Sequence, residues 1–405
     1  MTGAPEFTNL ETELLLLCSR TARDDAMAAK VQRLAHRPVS WKSLIVLARR
    51  HGTVPLIYSA LQDLCPGAVP AQAMAELREE CLHNAGRAAF QQQTLFRILD
   101  VFAAQRIPAL PYKGPMLAMS LYGNVAMRPC DDLDILLRES GVRRAKDLLL
   151  AHGFQTFYGF TPAQEAAYFG SRNSYCYTVD LVLDRNRGSL KVELHWRIPA
   201  PFSLNMESLW ERLESVTAEG RTVLQFAPED LLLILSVHGF KHFWRCLKWV
   251  CDVAELLRHN EMDWDLVIRR AEAMGGRRVL LLGALTASEL LGAPVPAAVV
   301  KLARTTPAVA GMYAQVRERI FRGEYLPVGV MNNFRVREKA RDQARYCLEL
   351  GRYCFIPDAQ DRATLPLPAA LSFLHYFIRP IRLPFRVARK YGVQLLSLPR
   401  HLIGR

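Results

Sequence analysis

Three textures of apolar and polar positions follow one another along this chain. Through the first hundred residues, apolar side chains recur at helical spacing. Leu14 to Cys18 is a continuous apolar run behind Glu11 and Glu13, too short for a period to be read, so it predicts burial alone. Ser40-Trp41 can cap a helix bearing Leu44, Ile45, Ala48 and Arg49, and Val54-Pro55-Leu56 restarts one. From Ala71 to about Ala104, the positions Met74, Leu77, Cys81, Ala85, Ala89, Leu95, Ile98 and Phe102 keep a helical period with no proline, which predicts one long helix.

Near residue 105 the texture changes. Ile107 to Gly114 reads as a short buried strand and a turn, with a helix after it carrying Met116, Met119 and Leu121. Asp132-Leu-Asp-Ile-Leu-Leu has strand character, and a helix from Val142 to His152 stands behind it. Phe154 to Tyr158, Tyr175 to Leu183 and Lys191 to Arg197 are rich in aromatic and β-branched residues and predict further strands, with a turn at Asp184 to Gly188. From Pro228 the helical pattern returns: Glu229 to Trp244, Leu247 to His259, Asp265 to Met274 and Arg278 to Leu291, closed by Pro294 and Pro296. A further helix pair, the second basic and starting near Asn332, leads into a proline-punctuated tail after Ile356. The expected division is a helical region over 1–104, a mixed α/β unit over 105–200, a helical domain over 201–300 completing a cleft, C-terminal helices over 301–368 and a basic tail over 369–405.

Composition narrows the class. Half of the 405 residues are apolar and 22% are charged, so a sizeable core forms and wholesale disorder is excluded. No stretch approaches the ~18–20 apolar residues of a membrane span. Residues 1–9 lack the marks of a secretory leader, and nine cysteines without a Cys-x-x-Cys pair suit reduced thiols. The expected location is the cytoplasm, peripheral at the inner face of the membrane. The net charge of +13 favours polyanionic partners. Seven of those charges, Arg379, Arg382, Arg386, Arg389, Lys390, Arg400 and Arg405, lie in a tail without a single acid. With Phe373, Tyr376, Phe377, Ile381, Leu383 and Phe385 beside them, this tail is expected either to lie on an anionic bilayer or to pack as an arm with its arginines paired, and Pro380 and Pro384 are expected to prevent one continuous helix.

Chemistry concentrates at two strands. In Asp132-Leu-Asp-Ile, alternation turns Asp132 and Asp134 to one face and Leu133 and Ile135 to the other. Two carboxylates on one face repel unless a cation lies between them, and hard Mg²⁺ takes such oxygen ligands; a solvated turn leading into a strand is the alternative. Lys191-Val-Glu-Leu-His-Trp-Arg alternates throughout, with Glu193, His195 and Arg197 opposite Val192, Leu194 and Trp196. If the two strands are neighbours, Glu193 is a third carboxylate, and three carboxylates with Mg²⁺ are the equipment of phosphoryl or nucleotidyl transfer; a polar edge strand is the alternative. Tyr112-Lys113-Gly114-Pro115 lies where a strand turns into a helix, so a glycine, a lysine and free N–H groups can meet a phosphate there. No Walker A loop and no paired dinucleotide-binding glycines occur.

The series Lys113-Gly114, Tyr122, Arg128, Asp132-x-Asp134 and Glu193-Leu-His195-Trp196 resembles the nucleotidyltransferase-fold superfamily, and within it the uncharacterised bacterial nucleotidyltransferase family. The similarity continues through Pro228-Glu229-Asp230, His238-Gly239-x-Lys241-His242, Leu247-Lys248-Trp249-x-x-Asp252 and Asp263-Trp264, and so spans residues 41–296. Lys-Gly stands where the broad superfamily has Gly-Ser. The resemblance implies an α+β fold, a small mixed sheet embedded in a largely helical protein, with Asp132 and Asp134 binding metal and a third carboxylate nearby.

The leading expectation is therefore a nucleotidyltransferase using Mg²⁺ or Mn²⁺, which moves a nucleoside monophosphate from an NTP such as ATP to a sugar, peptide or other small acceptor. Asp132, Asp134 and Glu193 are the metal-binding and catalytic candidates, with Glu193 as ligand or general base. Lys113, Gly114, Arg128, Lys241 and Lys248 address phosphates, or in part shape the loop. His195, His238 and His242 orient the acceptor or its neighbours. His238 and His242, four apart on one helix, could instead bind zinc, although Gly239 occupies the position of a metalloprotease glutamate. A catalytically weak nucleotide- or phosphosugar-binding module is the second reading and a nucleic-acid binder the third. Either aspartate changed to asparagine is expected to leave the metal-free fold as stable as before or more so.

Overall fold

In the computed structural model, residues 9–170, 174–182, 189–202, 204–322, 329–355 and 369–391 are described. The strand-forming stretches make one five-stranded mixed sheet: β1 (Ala109–Pro111), β2 (Asp132–Leu137), β3 (Gln155–Thr156), β4 (Cys176–Val182) and β5 (Ser189–His195), in the order β1-β2-β5-β4-β3. β2 and β5 run parallel at its centre, and all other neighbours are antiparallel. The face bearing Leu133, Ile135, Leu137, Val192 and Leu194 packs with Phe102, Val142, Leu149 and Trp196 into one core. Its alternation leaves the opposite face to the ionisable residues.

Helices surround this sheet. α1 (Asn9–Cys18), α2 (Asp25–Ala35), α3 (Trp41–His51), α4 (Val54–Leu64) and the 34-residue α5 (Ala71–Ala104) precede it. Ser40 caps α3 as its position suggests, accepting from the Ser43 N–H, and Gly52 ends it with φ +66°. Along α5 the expected stripe holds at Leu77, Leu95, Ile98 and Phe102, but Ala88 is buried and Ala89 exposed. α6 (Gly114–Tyr122), α7 (Val142–Ala151) and α8 (Pro162–Gly170) lie within the mixed unit.

Three expectations change. The strand at Phe154 to Tyr158 shrinks to two residues, because only Gln155 and Thr156 find partners on β4. β5 ends at His195, so Arg197 leaves the strand face and pairs with Glu139 at 2.9 Å. The helical domain opens, after the short α9 (Met206–Glu211), on a hairpin, β6 (Leu213–Ala218) with β7 (Arg221–Phe226), whose two turn residues Glu219 and Gly220 both have positive φ. The turn expected at Asp184 to Gly188 and the chain before Asn9 lie outside the described residues.

α10 (Pro228–Lys241), α11 (Leu247–His259), α12 (Trp264–Met274), α13 (Arg277–Leu291), α14 (Ala297–Thr305) and α15 (Pro307–Arg322) complete a compact unit within 1–323. A second unit, within 324–405, contains α16 (Val330–Arg335), α17 (Ala340–Phe355) and α18 (His375–Tyr391), with α17 and α18 in contact. α18 corrects the tail expectation, since it runs through both Pro380 and Pro384. The two prolines are four apart and so share one side of the helix, which confines the lost backbone bonds to that side. Arg379 is buried in this unit, whereas Phe373, Phe377, Ile381 and Phe385 are exposed. No helix among the described residues is long and apolar enough to cross a membrane.

The corner between α10 and α11 is tightly packed. Phe243 and Trp244 adopt left-handed backbone conformations, and the fully buried Trp244 ring lies against Gly239 and Gly283. A β-carbon on Gly239 would stand 2.5 Å from that ring. Gly239→Ala is therefore expected to lower stability by about 1–3 kcal/mol through overpacking. Gly86→Ala, on α5 with nothing within 4 Å of the added carbon, should be neutral or stabilising by up to about 1 kcal/mol. Urea midpoints of the two variants check this.

Candidate active site

The register of the two central strands builds the site. Asp134 lies beside Glu193, and Leu136 beside His195, in the parallel β2–β5 pair. Asp132, Asp134, Glu193 and His195 thus share one face. β1 leads into this face through Tyr112, whose N–H donates to the Asp134 carbonyl at 3.3 Å, and then through Lys113 to α6. Gly114 turns that corner with φ +62°, so a residue with a side chain would be strained there; an added β-carbon would touch the Asp132 backbone carbonyl at 3.4 Å. The opposite wall comes from α10, α11 and the corner between them: His238, Lys241, His242, Arg245, Lys248 and Trp249. Together the two walls enclose a cavity of about 250 Å³.

Asp134 is the hub. Lys113 Nζ is 2.8 Å from its Oδ1 and His195 Nε2 is 2.9 Å from the same atom. His195 Nε2 also lies 3.1 Å from Glu193 Oε2, so one imidazole nitrogen bridges the two carboxylates. Burial pushes the Asp134 carboxyl up, but the Lys113 ammonium and the His195 hydrogen bond overcome it and hold the group well below the usual carboxylate range. The hydrogen bond from His195 keeps Glu193 low as well, against its own burial. Burial disfavours the His195 cation, yet its bonds to Asp134 and Glu193 outweigh that and raise it. Asp132 differs: burial and the neighbouring Asp134 charge push its carboxyl up to about 6, against the pull of Lys113. The expectation of a uniformly destabilising carboxylate cluster is thereby revised. Lys113 and His195 satisfy Asp134, and the uncompensated charge rests on Asp132.

The remaining candidates divide. Lys241 lies over the Tyr175 ring at 5.1 Å, and Lys248 donates to the Pro129 carbonyl at 3.3 Å, both at the cavity wall. Arg128 also borders the cavity but is buried, and its Nε and an Nη hold Asp252 on α11 at 2.7 and 2.8 Å. Tyr122 Oη donates to the same carboxylate at 3.1 Å. This geometry fits the loop-shaping role for Arg128 and ties Asp252 to the loop before β2. His238 and His242 meet edge to face with ring centres 5.0 Å apart, and His242 stacks on Trp249 at 4.8 Å. Burial, with Lys241 and Arg245 nearby, lowers His242 to about 4; burial, with Lys113 and His242, lowers His238 also. Among the described residues no third His, Cys or carboxylate ligand atom joins this pair within 4.8 Å.

Sequence reasoning gave no place in the site to Tyr175 or Cys176, and quoted Tyr112 only as part of the turn before α6. Tyr175 and Tyr112 flank the His195 ring, stacked at 6.1 Å and edge-on at 5.4 Å, and Cys176 lies opposite His195 on β4. The strand at Tyr175 was legible, but its register against β5 has no local signal. A second cavity, of about 780 Å³, adjoins the first along Asp131, Arg245, Lys248 and Trp249, with Arg50, Glu79 and His83 farther out.

Residues 37–292 match the model of a family described as uncharacterised nucleotidyltransferase, and the chain belongs to that family. No curated protein matches. Among solved structures, an antigenic nucleotidyltransferase-like protein from Paracoccidioides brasiliensis is 13% identical over 53% of this chain and 97% of its own, with a TM-score of 0.33.

The charge distribution separates the two aspartates. In chelator-treated protein, Asp132→Asn should raise stability at pH 7 by about 1–3 kcal/mol, since a carboxyl held near 6 opposes folding once ionised. Asp134→Asn should lower it by about 3 kcal/mol, because Lys113 and His195 lose a buried charged partner. The Asp132 contribution is fully present below its ordinary value of 3.8 and is lost as pH rises through about 6. Denaturant unfolding from pH 4 to 7 should show that downward component in the parent protein and not in Asp132→Asn.

Proposed function

We propose that this protein is a metal-dependent nucleotidyltransferase that moves a nucleoside monophosphate from a nucleoside triphosphate to a sugar, peptide or other small acceptor. The observation that carries this reading is the meeting of Asp132, Asp134, Glu193 and Lys113 in one cavity, faced by a cationic wall, in a chain of this family. Asp132 and Asp134 are the residues that would hold Mg²⁺ or Mn²⁺, with Glu193 beside them. The fit is chemical: these are hard oxygen donors, and the raised Asp132 marks a place short of positive charge. A bound divalent ion would supply charge stabilisation for phosphate oxygens there.

The chain's own residues do the rest. Lys113 can exchange the Asp134 carboxylate for a phosphate oxygen, while Lys241, Arg245 and Lys248 offer charge along the triphosphate. The acceptor hydroxyl oxygen bonds to the α-phosphorus and its proton passes to solvent, as the α–β phosphoanhydride breaks and pyrophosphate leaves. Glu193, held low by His195, is better suited to ligate a metal than to act as base. The adjoining cavity past Arg245 and Lys248 is the space for the acceptor. Tyr112 and Tyr175 keep the His195 ring in place.

Phe377, Ile381 and Phe385 recur every four residues on exposed positions of α18 and form an apolar row in a segment rich in arginine and without acids, with the exposed Phe373 just before the helix. This row is proposed to lie on an anionic bilayer.

Two measurements test the reading. Incubation with each common nucleoside triphosphate and Mg²⁺ or Mn²⁺ should show metal-dependent binding and pyrophosphate release, lost about 100-fold or more in Asp132→Asn and in Asp134→Asn. Binding without release in every combination would favour the binding-module alternative. Vesicles containing anionic lipid should sediment the full chain, and replacing Phe377 and Ile381 by Ser should reduce that markedly. Unchanged sedimentation would remove the bilayer from the proposal.

A further inference from the structure

The sheet face that carries Asp132 and Asp134 continues across β5 onto β4. Cys176 stands directly opposite His195 in the antiparallel β4–β5 register. Directly opposed residues share a face, and so does Glu193, two positions before His195. The Cys176 sulfur, a Glu193 carboxylate oxygen and a His195 ring nitrogen accordingly lie within 4.8 Å of one another. Among the described residues this is the group of three such side chains that meets so closely.

His195 Nε2 lies 2.9 Å from an Asp134 oxygen and 3.1 Å from a Glu193 oxygen, spacings that an ion in place of the Nε2 proton could bridge. The residue is only 2% exposed, and its Nδ1 is buried with no hydrogen-bond partner, so nothing on that side fixes the proton to either nitrogen. The donor set is one sulfur, one imidazole and one carboxylate. Mg²⁺ takes oxygen, whereas thiolate and imidazole suit a borderline ion, and three protein ligands with an open position are the arrangement of catalytic zinc.

We infer that Cys176, His195 and Glu193 form a second metal position beside the two aspartates, selective for a borderline divalent ion of the zinc type. The Cys176 thiol gives its proton to solvent as the sulfur–metal bond forms. The ligand set makes the site asymmetric, with an all-oxygen side for Mg²⁺ or Mn²⁺ and a sulfur–nitrogen side for zinc. Its place in catalysis rests on the transferase reading, but the ligation does not.

The test is a Co²⁺ titration of the full chain after chelator treatment, followed by absorption. A near-ultraviolet sulfur-to-cobalt charge-transfer band is expected, displaced by Zn²⁺ and unaffected by excess Mg²⁺. Cys176→Ser should abolish the band and weaken Zn²⁺ binding about tenfold or more. Cys347→Ser, at an exposed position on α17, should keep both. If Cys176→Ser does not fold, zinc-edge X-ray absorption of the unaltered protein decides, with one sulfur per zinc expected. A band that persists in Cys176→Ser, or zinc bound through oxygen and nitrogen alone, would overturn the inference. Mg²⁺-supported pyrophosphate release without any sulfur–cobalt band would overturn it too, and would leave the transferase reading standing.

Discussion

The parallel pairing of β2 with β5 is the constraint on which the rest of the site depends. It sets Asp134 beside Glu193 and, two residues on, brings His195 to a position from which one nitrogen reaches both. A slip of one residue would turn Val192 and Leu194 into the cavity and bury Glu193 and His195 in the core. The register is therefore fixed from both sides at once: by Leu133, Ile135, Val192 and Leu194 packing on one face, and by the hydrogen-bonded charges on the other. β1 and β4 then take their places at the flanks, and each adds a residue to the polar face, Lys113 after the one and Cys176 on the other.

Electrostatics completes what the register begins. A buried carboxylate is costly unless it is paired and hydrogen-bonded, and Asp134 has both forms of compensation through Lys113 and His195. Asp132 has only the more distant attraction of Lys113, which does not overcome its burial and the Asp134 charge. Two aspartates that look equivalent in an Asp-x-Asp pair thus play opposite parts in stability. The two histidines of the facing wall do not repair the imbalance, because burial and the cations around them drive both toward neutrality.

Much of this was legible in the sequence, and the reason is periodicity. Asp132-Leu-Asp-Ile and Lys191-Val-Glu-Leu-His each alternate so cleanly that face and burial follow, and Lys113-Gly114 marks its own turn. What could not be read depends on partners distant in the chain. Arg128 could be given a phosphate-binding or a loop-shaping role but no partner, because Asp252 is 124 residues away. Cys176 carried no signal because its place beside His195 comes only from β-register. The β6–β7 hairpin was missed for a local reason: its two-residue turn is Glu219-Gly220, and glutamate is an unusual residue at a left-handed position that asparagine or aspartate normally takes. Pro380 and Pro384 misled in the opposite direction, since their four-residue spacing lets one helix accommodate both.

The cationic wall is positioned by packing that has nothing to do with charge. Lys241 ends α10, Lys248 lies in the first turn of α11, and Arg245 is in the corner between them. That corner is held by Trp244, wedged against Gly239 of α10 and Gly283 of α13. On its far side, the backbone N–H of Leu247 at the start of α11 donates to Nδ1 of the fully buried His51 at 3.3 Å. Burial, reinforced by Arg50, lowers His51 to about 4, which keeps its ring neutral and able to accept that bond. Asp252 on the same helix is locked to Arg128, and through it to the loop that leads into β2. The helix that carries Lys248 and the strand that supplies the aspartates are thus joined by a buried ion pair at the edge of the cavity. Their separation is set before any ligand arrives, which is what preorganised charge requires.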